Sequence, residues 1–164
     1  MTDTPTATLA LIGLGMVAPT YAEAIRTSPG LRLKWVLARS ADSAQGFLRN
    51  HPDLGAQAAG DLSQIAQDPE VDFALLTTPP NARHKIVTAL ADAGKPILME
   101  KPVERDLPAA TALVAHCEAA GVPLGIMLQH RARPLVAELH ARVAALGPLM
   151  EAEIAVPWWR PQAY

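Results

Sequence analysis

Two kinds of stretch alternate along this chain. Brief, almost wholly apolar runs at 7–12, 31–38, 71–77, 96–99 and 123–128 suit strands buried on both faces, as in a parallel sheet. A weaker run at 55–59 predicts a further short strand. Between them, apolar residues recur every three or four positions. Tyr21, Ala22 and Ile25 mark a helix over 19–26 that ends at Ser28-Pro29-Gly30. Helices are predicted likewise over 41–50, 62–67 behind an Asp61 cap, and 83–93, where Ile86, Val87, Leu90 and Ala91 share a face before Gly94. Asp106 caps a helix over 107–120 that Gly121 stops, and 134–146 reads as a last helix before a strand over 149–156 leaves the domain. Strands alternating with helices through short connections predict an α/β fold: a doubly wound, mostly parallel sheet in three α/β/α layers, the Rossmann arrangement. The expected domain spans residues 1–156.

Composition narrows the function classes. The chain has 164 residues, 50% apolar and 18% charged, which suits one well-cored domain. A net charge of -2 without clustered Lys/Arg predicts no nucleic-acid partner and no anionic membrane surface. A single cysteine, Cys117, precludes an intrachain disulfide and argues against a cysteine-built zinc site. His51, His116 and His140 stand at no metal-ligand spacing, so no metal is expected. No apolar run approaches the ~20 residues needed to span a bilayer, and the first eight residues lack the pattern of a secretory signal. A cytoplasmic address is the expectation.

The first strand runs into Gly13-Leu14-Gly15-Met16-Val17-Ala18, which fits G-x-G-x-x-G/A. Gly13 permits a tight exit from the strand, Gly15 presents no Cβ to a pyrophosphate, and Ala18 lets the helix lie close to the sheet. With Met16 and Val17 completing the turn, backbone N–H groups at the helix start would meet the phosphates. The bland alternative is a sharp turn without a ligand. Past the second strand, where an Asp or Glu would accept a ribose 2′-hydroxyl, the chain reads Leu37-Ala38-Arg39-Ser40. Arg39 can pair with a 2′-phosphate and Ser40 can add a hydroxyl donor, so NADP is preferred over NAD. Otherwise Arg39 solvates its loop or stacks on adenine, and both cofactors are acceptable.

Glu100-Lys101-Pro102 follows the apolar strand Ile97-Leu98-Met99 and so falls at the carboxyl edge of the sheet, where open α/β folds place ligands. The glycine turn together with this Glu-Lys-Pro segment resembles the N-terminal domain of the glucose-fructose oxidoreductase/inositol dehydrogenase/rhizopine-catabolism family of NAD(P)-dependent sugar and polyol oxidoreductases. The resemblance implies that Lys101 assists proton transfer at a substrate hydroxyl beside the nicotinamide, that Glu100 orients or balances Lys101, and that Pro102 shapes the loop. It also implies that the segment Thr77-Thr78-Pro79-Pro80-Asn81-x-x-His84 lines the cofactor cleft, with Thr77, Thr78 and Pro79 beside the cofactor. Asn81 would cap the next helix, and His84 would face the nicotinamide unless it is a surface residue bonded to its own loop. Gln129 or His130 would contribute near the nicotinamide or substrate, against roles in a loop or domain interface. Arg160, within Pro157-Trp158-Trp159-Arg160, would lead toward the substrate. Residues 157–164 resemble the start of a second domain, which in the family supplies the oligomer surface and further catalytic residues; alternatively the tryptophans fold back over the sheet edge.

The expected function is hydride transfer between a nicotinamide and a CH–OH group of a sugar or polyol, with the isolated chain binding cofactor but catalytically incomplete. The alternatives are a non-catalytic dinucleotide-binding module and an NAD-dependent glycosidase of the same fold. No sequence pattern indicates a covalent nucleophile.

Overall fold

The computed structural model describes residues 7–159, 161 and 162. The chain divides into two compact units, 1–127 and 128–164. In the first, six strands form one sheet: β1 (Ala7–Ile12), β2 (Leu31–Leu37), β3 (Gln57–Ala58), β4 (Phe73–Leu76), β5 (Ile97–Glu100) and β6 (Leu124–Met127). Their order is β3-β2-β1-β4-β5-β6 and every pairing is parallel. The connecting helices are α1 (Ala18–Arg26), α2 (Ala41–Asn50), α3 (Leu62–Gln67), α4 (Arg83–Asp92) and α5 (Leu107–Ala119).

Central β1 explains why an unbroken apolar run is required there. Alternate side chains point to opposite faces of a sheet, and both faces of β1 are covered. Ala10 and Ile12 join Ala74, Leu76, Ile97 and Met99 beneath α3, α4 and α5, where Ile65, Val87, Leu90 and Leu113 are buried. Leu9 and Leu11 join Leu33, Val36 and Leu75 beneath α1 and α2, whose Ala18, Ala22, Ile25, Ala44 and Phe47 face inward. Ala18, fully buried, allows α1 to lie close against the strands, as the glycine motif requires. The predicted caps form: Asp61 accepts from the Gln64 N–H and Asp106 from the Ala109 N–H.

The order reverses between β1 and β4, because β2 and β3 lie on one side of β1 and β4 to β6 on the other. At such a switch point the loops leaving the two strands diverge and open a crevice at the carboxyl edge.

The second unit contains α6 (Pro134–Ala145). The strand expected over 149–156 does not form; these residues are exposed and carry no regular structure. Within this stretch Glu151, Ala152, Glu153 and Ala155 interrupt the apolar positions, and these residue types are depleted in strands.

Outside the crevice, Asp68 joins three elements. Its carboxylate accepts from the Trp35 indole N–H at 2.6 Å and lies 2.7 Å from Lys34 Nζ. Its carbonyl accepts from Lys95 Nζ at 2.6 Å. The Lys34 ammonium, then the Trp35 N–H, hold the Asp68 carboxyl down to about 2. A depressed carboxyl stabilises the fold above its unfolded pKa of about 3.9 and loses that contribution as pH falls through its folded value. Thermal melts are therefore expected to show a fall in Tm between about pH 4 and pH 2 that is shallower in Asp68→Asn.

Candidate functional site

A cleft of about 850 Å³ opens at the switch point, lined by the β1–α1 turn, the β2–α2 loop, the β4–α4 segment and the end of β5. Its floor begins with Gly13. The Gly13 N–H donates to the Leu37 carbonyl at 2.8 Å and its φ is +94°. A Cβ there would meet Thr78 N at 2.7 Å and Thr78 Cγ2 at 2.8 Å. Gly13 is thus required by the protein itself: the Thr77-Thr78 backbone passes where a side chain would stand. Gly15 differs, since a Cβ built on it meets nothing within 4 Å and its φ is not positive. Nothing in the protein demands glycine at that position, and the space it leaves belongs to the cleft.

Beyond Gly15, α1 begins without a side-chain cap and without an acidic residue in its first turn. Among the described residues, the N–H groups of Gly15, Met16 and Val17 have no hydrogen-bond acceptor. Met16 is 92% exposed and Val17 37%. Free donors, the positive end of a helix and no competing carboxylate make a site for an anionic group. A dinucleotide fits this geometry: open space over Gly15, donors for a pyrophosphate, and apolar flanks from Ile12, Leu37 and Ile86.

At the end of β2, Ala38 and Arg39 line the cleft, and the exposed Arg39 has no ion-pair partner among the described residues. Ser40 does not line it. Its hydroxyl caps α2 by accepting from the Ser43 N–H at 3.3 Å, and the two serine Oγ atoms lie 2.9 Å apart. A serine in extended backbone directly before a helix is best placed to cap it, so Ser43, one turn on, takes the cleft position expected for Ser40.

Thr77, Thr78 and Pro79 line the cleft as expected. The Thr77 hydroxyl donates to the Gly13 carbonyl, tying the β4 exit to the glycine turn. Thr78 Oγ1 is buried without a partner. Asn81 does not cap α4. It sits inside a 3₁₀ turn over Pro80–Ala82, with Ala82 in the cap position, because Pro79 and Pro80 lead into this extra turn before the helix. His84 is exposed and lines an adjacent hollow of about 470 Å³ with Glu104, Arg105 and Asp106, outside the cleft itself.

The residue that organises this edge is one the sequence pattern did not single out. Arg83 is 2% exposed. Its Nε donates to the Thr78 carbonyl at 2.9 Å, and its Nη1 donates to the carbonyls of Glu100 and Pro102. It therefore joins the β4–α4 segment to both sides of Lys101. Burial draws its guanidinium below the ordinary value, opposed by the charges of Glu104 and Glu100. One signal was available: a cation in the first turn of a helix stands at the unfavourable end of the dipole, and a partner elsewhere must hold it there.

Glu100 is fixed by neighbours too. Its Oε1 accepts from the Tyr21 hydroxyl at 2.6 Å and its Oε2 from the Lys101 backbone N–H at 3.2 Å. Burial, then the bond to Glu100, push the Tyr21 phenol above its usual value, so it stays a donor. Lys101 is exposed, lines the cleft, and its ammonium has no ion pair among the described residues. Glu100 thus bonds the Lys101 main chain and, among the described residues, forms no ion pair with its ammonium.

Gln129 and His130 lie in a 3₁₀ turn of the second unit, both exposed. Arg160 falls outside the described residues. Trp158 and Trp159 are 70% and 81% exposed.

Known proteins resemble this chain in sequence and in fold. Residues 7–128 match the family model of oxidoreductases with an NAD-binding Rossmann fold that takes its name from glucose-fructose oxidoreductase, inositol dehydrogenase and the rhizopine-catabolism protein. Myo-inositol dehydrogenase Hyg17 of Streptomyces leeuwenhoekii is 33% identical over 138 residues, covering 84% of this chain and 41% of that protein. In fold, the WlbA dehydrogenase from Bordetella pertussis, solved with NADH and UDP-GlcNAcA, aligns with a TM-score of 0.76 at 23% identity over 90% of this chain and 41% of its own. Biliverdin reductase from Synechocystis sp. PCC 6803, solved with biliverdin and NADP+, aligns with a TM-score of 0.70 at 19% identity over 87% and 44%. The chain spans about two fifths of the length of these relatives. The glycine turn, the parallel sheet and the match over 7–128 lead to one conclusion: the chain belongs to this family of NAD-binding Rossmann oxidoreductases.

Proposed function

We propose that this chain is the dinucleotide-binding part of an oxidoreductase that interconverts a hydroxyl and a carbonyl on a sugar or polyol, with NADP preferred. The observation that carries the reading is Gly15, whose missing Cβ leaves room the protein does not use, beside three unengaged N–H donors. Bound there, the nicotinamide would supply a hydride acceptor or donor at C4. The chain's own contribution is at Lys101. In its unprotonated amine form, its Nζ, free of an ion pair, would take the proton of the substrate hydroxyl, becoming the ammonium, as the carbinol carbon is oxidised, and the ammonium would return that proton in the reverse direction. The polyol assignment is supported by the myo-inositol dehydrogenase relative. By itself this stretch binds cofactor and turns over weakly, and the oligomer contacts and substrate grip belong to the remaining length of such relatives. Cytoplasmic residence completes the reading.

NADP preference rests on Arg39, exposed in the cleft with no carboxylate at the ribose-binding position. Parallel titrations with NADPH and NADH, followed by nicotinamide fluorescence, are expected to show tighter NADPH binding. In Arg39→Asp that preference should reverse, with NADPH weakened about tenfold or more for loss of a charge-assisted bond and gain of a repelling charge. Unchanged relative affinities would contradict the assignment.

A further inference from the structure

We propose that Tyr21 is a positioning residue: by holding the Glu100 carboxylate, it keeps that charge off the neighbouring Lys101 ammonium and leaves the lysine free in the cleft. Glu100 and Lys101 are adjacent, opposite in charge, and both line the cleft, so two long side chains in one solvent-filled space are within reach of an ion pair. It does not form. One carboxylate oxygen is taken by the Tyr21 hydroxyl at 2.6 Å and the other by the Lys101 N–H at 3.2 Å, while the Glu100 carbonyl is held by Arg83. Tyr21 comes from α1, the helix whose start forms the anion site, so the element that would receive the phosphates also sets the neighbourhood of the lysine. A phenol serves well here because it donates one strong bond and, being pushed upward by burial and by Glu100 itself, does not ionise to repel the carboxylate.

Losing the hydroxyl frees Glu100 to swing onto Lys101. An amine held in an ion pair reacts more slowly with an acylating reagent, because only the unprotonated, unpaired amine is nucleophilic. Lys101 is the working amine only if the proposed reaction holds, whereas labelling reads the amine without cofactor or substrate, so the two can fail separately. The test is competitive labelling of the full 164-residue chain with acetic anhydride at mildly alkaline pH, quantified for each lysine by peptide mass spectrometry. Tyr21→Phe is expected to slow acetylation of Lys101 about two- to fivefold, the range for an ion pair in water. Tyr21→Phe/Glu100→Gln should restore the original rate. Lys34 and Lys95, tied into the fold by their own bonds, serve as internal standards. A folded Tyr21→Phe chain with an unchanged Lys101 rate would overturn the proposal and leave Tyr21 a packing residue. Should Tyr21→Phe unfold the chain, seen as faster acetylation of Lys34 and Lys95, Glu100→Gln alone decides. A Lys101 rate within about twofold of the original supports the proposal. A larger rise would mean the carboxylate already occupies the ammonium, and overturns it.

Discussion

Arg83→Met is expected to be the most damaging single substitution in the cleft, lowering stability by about 4 kcal/mol and Tm by roughly 8–16 °C. Methionine fills much of the buried volume but donates nothing. The carbonyls of Thr78, Glu100 and Pro102 would each lose the same partner at once. Leaving a desolvated acceptor unsatisfied costs about 1–3 kcal/mol; these three bonds are part-buried and Pro102 is exposed, so each loss falls toward the lower end of that range. Arg83→Lys should recover part of the stability, because an ammonium is a donor without the guanidinium's fork and cannot reach all three carbonyls. Differential scanning fluorimetry of both variants measures this. Equal stability of Arg83→Met and the original chain would show that the three bonds do not hold the edge together. A functional consequence follows, since the same bonds bracket Lys101.

Gly13→Ala and Gly15→Ala should behave as opposites although they sit two residues apart in one motif. At Gly13 an alanine must adopt φ near +94° and place its Cβ 2.7 Å from Thr78 N. Left-handed strain of about 1–3 kcal/mol and a clash with backbone that cannot step aside combine to about 3 kcal/mol or more. That corresponds to a fall in Tm of roughly 6–12 °C. At Gly15 an alanine has open space and an ordinary backbone, so Tm should stay within about 1–2 °C. Gly13 answers to the fold, whereas nothing in the fold requires glycine at 15.

The sheet was readable from sequence because its determinants are local. Apolar runs such as Leu9 to Ile12 are buried on both faces, and the Asp61 and Asp106 caps act within one turn. The glycine turn was readable because the motif carries its own geometry. What escaped depends on contacts far apart in sequence. Arg83 looks like one more helical surface residue until β5 is placed beside it, and Tyr21 looks like part of an apolar face until its hydroxyl is seen to reach Glu100, 79 positions away. Ser40 carries two plausible roles, capping and phosphate contact, and only the backbone of α2 decides between them. The strand expected over 149–156 shows the converse: apolar residues such as Ile154 and Val156 suggested it, while the Glu and Ala between them favour no strand.

The central claim is that a nicotinamide dinucleotide occupies the cleft over Gly15. It is tested most directly by titrating NADPH into the original chain and into Gly15→Ala, both confirmed folded by their melting curves, with nicotinamide fluorescence as readout. The expected result is saturable binding to the original chain, weakened about tenfold or more in Gly15→Ala while Tm is unchanged. A folded original chain that shows no saturable binding, or equal affinity in the two, would contradict it.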